Sequence, residues 1–218
     1  MSDFEGLFGL FSLMFGLIVA ELAIKSADAI DSHGERPIGI LTPALTFLVL
    51  TDVTSFWLWV WGARKVLQFN WPTVLGGVVL AFVYFLAASL VFPRSGRAWA
   101  NLDEHYWSRK RIVTGGMLFA NMVIIGTMLT RAIPAWNDWW FYFNFIAYLI
   151  ALAGLVVSRS RRLDYIFLVW AIGINVAAGA NLLHSSHWGH RPRDRPFAVV
   201  DPRQTPASAF QPFATLAA

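Results

Sequence analysis

Apolar residues run along this chain in unbroken stretches of about twenty, divided by short clusters of charge, proline and glycine. The stretches are Leu7 to Ile30, Ile40 to Trp61, Trp71 to Phe92, Ile112 to Ile133, Trp139 to Val157 and Tyr165 to Leu183. Each suits a helix that crosses a bilayer and satisfies its own backbone in lipid. The two-residue alternation of a membrane β-barrel is missing. The pattern therefore predicts an all-α, polytopic membrane protein, a bundle of six transmembrane helices. No repeat of twenty to fifty residues stands out.

Polar residues refine this picture at the ends of the spans. In the first span, Glu21, Lys25 and Asp28 fall on one stripe, with Glu21 in the favourable order for an ion pair with Lys25. Ahead of the fourth span, Asn101 can cap a helix whose first turn holds Asp103 and Glu104. No breaker follows, so one helix is expected from Leu102 to Thr130, with its first turns outside the bilayer. Trp99, Leu102 and Tyr106 share a face of that extension, and His105 is expected on its solvated side. The turn SRSRRLD (Ser158 to Asp164) makes spans five and six antiparallel. Residues 1–184 thus form the transmembrane domain, and the polar, proline-bearing tail 185–218 is expected to be disordered.

Composition agrees with the pattern. Hydrophobic residues make up 57% of the 218 and charged residues 14%, with a mean hydropathy of +0.54, which places the chain in a bilayer. Most of the 11 tryptophans lie near span ends, where indole favours the membrane interface. The net charge of +4 sits in clusters at helix ends, so membrane anchoring explains it without nucleic acid. Ten Lys and Arg lie between spans one and two, three and four, and five and six, against three in the opposite loops. The positive-inside rule then puts both termini outside. Asp3 and Glu5 precede the first apolar run without a cation, which is unlike a cleaved signal peptide. With no cysteine, thiolate chemistry and disulfides are absent.

Asp52, in the middle of the second span, is the main candidate for chemistry. An ionised Asp at mid-membrane costs about 2.5 to 3.5 kcal/mol on insertion scales, so it needs a partner, a proton or a function. Helical rise places Glu21 nearer the inside, Asn121 in the inner half, Asn175 near mid-depth and Asn181 toward the outside. By that count Asn175 is the best-placed partner for Asp52, with Thr51 and Ser55 beside it. His184, His187 and His190 are spaced three apart, but Gly189 and Pro192 break the helix and no acid joins them, so solvated histidines are expected rather than a metal site. No cofactor is expected, and no histidine lies mid-span for haem. Hydrolase and phosphate-loop motifs are absent.

Two stretches, LTPALTFLVLTDVTSFW (Leu41 to Trp57) and FPRSGRAWANLDEHYWSRKR (Phe92 to Arg111), resemble an uncharacterised family of small bacterial multi-pass inner-membrane proteins. The resemblance implies a helical bundle in a bacterial cytoplasmic membrane and brings no activity or functional residue with it. Three classes follow from the residues. A transporter or channel for protons, small ions or solutes would place Asp52, Glu21 and the asparagines along a polar path. An accessory protein would present a lipid-facing groove to a membrane partner or a second copy. An intramembrane enzyme would need a second acid or histidine beside Asp52; the expectation is a non-enzymatic protein.

Overall fold

The computed structural model describes residues 3–31, 39–62, 70–93, 102–131 and 139–179, all of which belong to helices or their immediate flanks. Six helices follow one another: α1 (Asp3–Asp31), α2 (Leu41–Gly62), α3 (Trp71–Val91), α4 (Leu102–Arg131), α5 (Trp139–Val157) and α6 (Arg161–Gly179). The chain is an all-helical membrane bundle. Helices α1, α2, α3 and α6 are each long and apolar enough to cross a membrane, and the apolar part of α5, Phe141–Val157, is shorter. As expected, α4 is one continuous helix from its charged first turns into its apolar length. Helix α6 begins four residues before the expected Tyr165, because Arg161 and Arg162 extend its first turn. The tail, Asn101 and Trp99 lie outside the described residues.

Local sequence accounts for the helix ends. At the start of α3 the side chain of Asn70 accepts a hydrogen bond from the Thr73 N–H at 3.0 Å. Pro72 follows in the first turn, where its missing N–H costs nothing. Phe92 turns extended at the other end, as the residue before Pro93 must.

Helix α2 is the middle of the bundle. It packs against α1, α3, α4 and α6, while α1, α3, α4, α5 and α6 follow one another around it through the pairs α1–α3, α3–α4, α4–α5 and α5–α6. Side chains crossing between helices show the alternation of direction. Thr42, at the start of α2, donates to the carbonyl of Leu102 at the start of α4 (2.9 Å), and Lys110 of α4 reaches the carbonyl of Ser158 after α5 (2.8 Å). The first turns of α4 thus touch the beginnings of α2 and α6 and the ends of α3 and α5, closing that end of the bundle.

The core is apolar and continuous, with Leu7, Ile18, Leu48, Met117, Leu152 and Leu168 fully enclosed. Two glycines permit its closest approaches. A Cβ on Gly77 of α3 would occupy the space of the Phe11 ring of α1, and one on Gly154 of α5 would overlap Phe167 of α6. The outer faces are apolar too, including Leu13, Phe82, Ile150 and Val169. An apolar exterior around an apolar interior is the arrangement of a protein whose solvent is lipid.

Two sequence expectations fail at the charged end. Glu21 and Lys25 do not form an ion pair; the two pairs among the described residues are Lys110–Asp164 and Arg161–Asp103. His105 is buried rather than solvated, with Nε2 3.0 Å from the carbonyl oxygen of Leu90. Tyr106, on the same extension, is turned into the bundle, where its hydroxyl finds a carboxylate.

Candidate functional site

Asp52 is enclosed at the centre of the bundle, 2% exposed, and side chains from three other helices converge on it. Tyr84 of α3 donates its hydroxyl to Oδ2 at 2.9 Å. The amide nitrogen of Asn121, on α4, lies 3.1 Å from Oδ2 and 3.3 Å from Oδ1. The same nitrogen is 3.0 Å from the Met117 carbonyl, one turn earlier on its own helix, and that contact fixes its direction. From α5, the buried hydroxyl of Tyr148 comes close enough to interact with Asp52 and Asn175 without completing a hydrogen bond.

The site extends one turn along α2. Ser55, three residues beyond Asp52 and therefore on the same face, bonds the Thr51 carbonyl at 2.8 Å and lies 3.4 Å from Oδ1 of Asn175 on α6. The amide nitrogen of Asn175 is buried without a partner, as is the Tyr148 hydroxyl. Five helices, α2 to α6, thus place polar side chains in one layer. Within it, Asp52 has its donors, while the Tyr148 hydroxyl and the Asn175 amide nitrogen lie near neighbours without completing hydrogen bonds.

Of the residues singled out from sequence, Asp52 and Asn121 make direct contact and Asn175 joins the layer through Ser55. The direct partner of Asp52 is Asn121 rather than Asn175. Counting depth from Ile112 misplaces Asn121, because the bundle already encloses α4 from Leu102 through Lys110. Glu21 lies half-exposed on α1, and no hydrogen bond links it to Asp52. Asn181, His184, His187 and His190 lie outside the described residues. Among the described residues no group of three or more His, Asp or Glu is placed to hold a metal. Tyr84 and Tyr148 were not anticipated as site residues, although Tyr84 is the only strongly polar aromatic of its span.

A second polar cluster occupies the closed end. Lys110 Nζ meets Asp164 Oδ2 at 2.6 Å with both side chains buried, and Tyr106 donates to the same oxygen at 3.0 Å. The ammonium also lies over the Trp107 ring, 4.2 Å from its centroid. Burial, and then the negative charge of Asp164, push the Tyr106 phenol above its ordinary range, so it acts as a donor. Lys110 is one of the ten Lys and Arg on the more basic side of the chain, and in the bundle it is a buried structural ion. Arg161 and Asp103, 2.6 Å apart at the surface, reinforce the junction.

At the opposite end a cleft of about 240 Å³ opens between α1, α2, α3 and α4. Phe11, Phe56, Trp59, Thr73, Leu80 and Ile124 contribute to its wall. Three of these stand one helical turn from the polar layer: Phe56 from Asp52, Leu80 from Tyr84, and Ile124 from Asn121. Phe56 stacks on Trp59 (centroids 5.9 Å apart) and on Tyr84 (6.0 Å), so an aromatic column runs from the cleft to the carboxylate's donor.

No family model matches the chain, and no solved structure matches it. Over 142 residues, 62% of this chain and 70% of the relative, it is 28% identical to a protein named NADH-ubiquinone oxidoreductase chain 6 from Brachyramphus marmoratus. The likeness is to a membrane protein.

Proposed function

We propose that this integral membrane protein is a transporter in which Asp52 takes up and releases a proton or a small cation. The observation that carries the reading is the polar layer itself. A buried carboxylate lies in a layer to which five helices contribute polar side chains, next to a tyrosine hydroxyl and an amide N–H whose contacts fall short of hydrogen-bond geometry. Buried polar groups that serve only to tie helices together are normally satisfied, and an orphan costs about 1 to 3 kcal/mol. A hydroxyl and an amide not locked into hydrogen bonds beside an acid can turn toward a guest. The apolar layer of Phe56, Leu80 and Ile124 separates the site from the open cleft, and the first turns of α4 close the other end. This is an occluded arrangement with one near side.

Liposomes containing the full chain should show proton or cation flux above empty vesicles. Asp52→Asn, nearly isosteric but unable to titrate, should reduce flux to background while keeping the helical content and melting temperature. Wild-type flux equal to that of empty liposomes would remove the reading.

We place the protein in a cytoplasmic membrane with the Lys110–Asp164 end inside and both termini outside, supported by the excess of Lys and Arg in the loops of that end. Reporters fused after Arg162 should behave as cytoplasmic and those after Leu183 as external; the reverse result inverts the orientation.

A second reading, a subunit or accessory protein of a membrane assembly, draws on the name of the similar protein, a chain of an oxidoreductase. Val169 and Trp170 on the outer face of α6 are available to such a partner. A stable larger complex in mild detergent together with absent flux would favour it. The enzyme reading requires a second acid or imidazole at Asp52, and the side chains bonded to it are a phenol and an amide.

A further inference from the structure

We infer that the cleft binds a small organic monocation, an amine or quaternary ammonium carrying an apolar group, whose charge is neutralised by Asp52. The inference rests on the transport reading and names its substrate class. Three features carry it. Among the described residues the cleft wall carries no charge, so an inorganic ion would find little there to replace its water, whereas an apolar body is accommodated. Three aromatic rings, Phe11, Phe56 and Trp59, line the cleft, and aromatic rings attract a cation. The column from Trp59 through Phe56 to Tyr84 ends on the buried carboxylate, so the cleft's aromatic wall leads to a counter-ion one helical turn beyond it.

The polar detail fits the same guest. Thr73 Oγ1 is buried at the cleft wall without a hydrogen bond and can accept one from an ammonium N–H. Among the described residues, the charge an anion would meet beyond the apolar layer is the carboxylate of Asp52, which repels it. For the cation to reach Asp52, Phe56, Leu80 and Ile124 must part by about one helical turn's depth. Uptake of the cation and binding of a proton then compete for one carboxylate.

The test is calorimetric titration of the purified full chain in detergent with benzyltrimethylammonium, benzyl alcohol and benzenesulfonate, which share the ring and differ in charge. One cation per chain should bind saturably, with the neutral and anionic probes at least ten-fold weaker. Asp52→Asn should weaken the cation at least ten-fold and Trp59→Leu several-fold. Gly76 lies in the cleft wall with open space where a Cβ would stand, so Gly76→Leu fills the cleft without a backbone clash and should abolish binding. Equal binding of cation and neutral probe, or cation binding unchanged in Asp52→Asn or Gly76→Leu, overturns the inference. Proton flux without cation binding sinks this inference and spares the transport reading; cation binding without any flux does the reverse.

Discussion

At Asp52 a single carboxylate accepts from two buried donors, the Tyr84 hydroxyl and the Asn121 amide. Asp52→Leu leaves the Tyr84 hydroxyl without its acceptor and Asn121 with the Met117 carbonyl and the Tyr84 oxygen, and should destabilise the bundle by about 1 to 3 kcal/mol in chemical denaturation. Asp52→Asn retains an acceptor and should not. If water fills the leucine variant's site, the loss will be close to zero. Lys110 gives a sharper contrast. Lys110→Met alone strands the buried Asp164 with Tyr106 as its side-chain donor, at a cost of about 3 to 5 kcal/mol, whereas Lys110→Met with Asp164→Leu should recover most of it. A double variant no more stable than the single one would show that the ion pair is not a closed unit. The acid at Asp52 was legible in the sequence because charge inside a span is rare. Lys110 was not, because a run of Ser-Arg-Lys-Arg looks the same whichever residue turns inward; only the partner on α6 decides it.

Between elements, contact is set by small residues opposite rings. Gly77→Ala pushes a methyl group into the space of Phe11 and should cost about 1 to 3 kcal/mol as overpacking. Phe11→Leu should relieve part of that cost, so a double-mutant cycle should give a coupling of at least about 0.5 kcal/mol. Additive losses would mean α1 and α3 do not meet there. The helices themselves were readable as apolar runs, and the continuity of α4 followed from the lack of a breaker after Leu102. Their mutual levels were not, because rise per residue gives depth only when the starting plane is known. The start of α4 is held within the bundle by Thr42 and Lys110, and that moves Asn121 onto Asp52. Tyr84 and Tyr148 escaped notice for a related reason: a lone phenol in an apolar span resembles an interfacial aromatic until its neighbours are placed.

For the whole molecule, the central position of α2 has a consequence in time. Asp52 leaves the ribosome 32 residues before Tyr84 and 69 before Asn121. At usual elongation rates the acid waits roughly 3 to 14 s for its amide partner. Until then α2 has Tyr84 at most to offset an insertion penalty of about 2.5 to 3.5 kcal/mol. A nascent chain ended at Pro93 should therefore hold α2 in the membrane less completely than its Asp52→Leu counterpart, as read by glycosylation tags on either side. Chains that continue past Arg131 should show no such difference. Equal insertion of both short chains would mean that α1 and α3 shelter the acid by themselves. Otherwise the residue that gives the finished bundle its polar centre is also what makes its half-made form a target for membrane quality control.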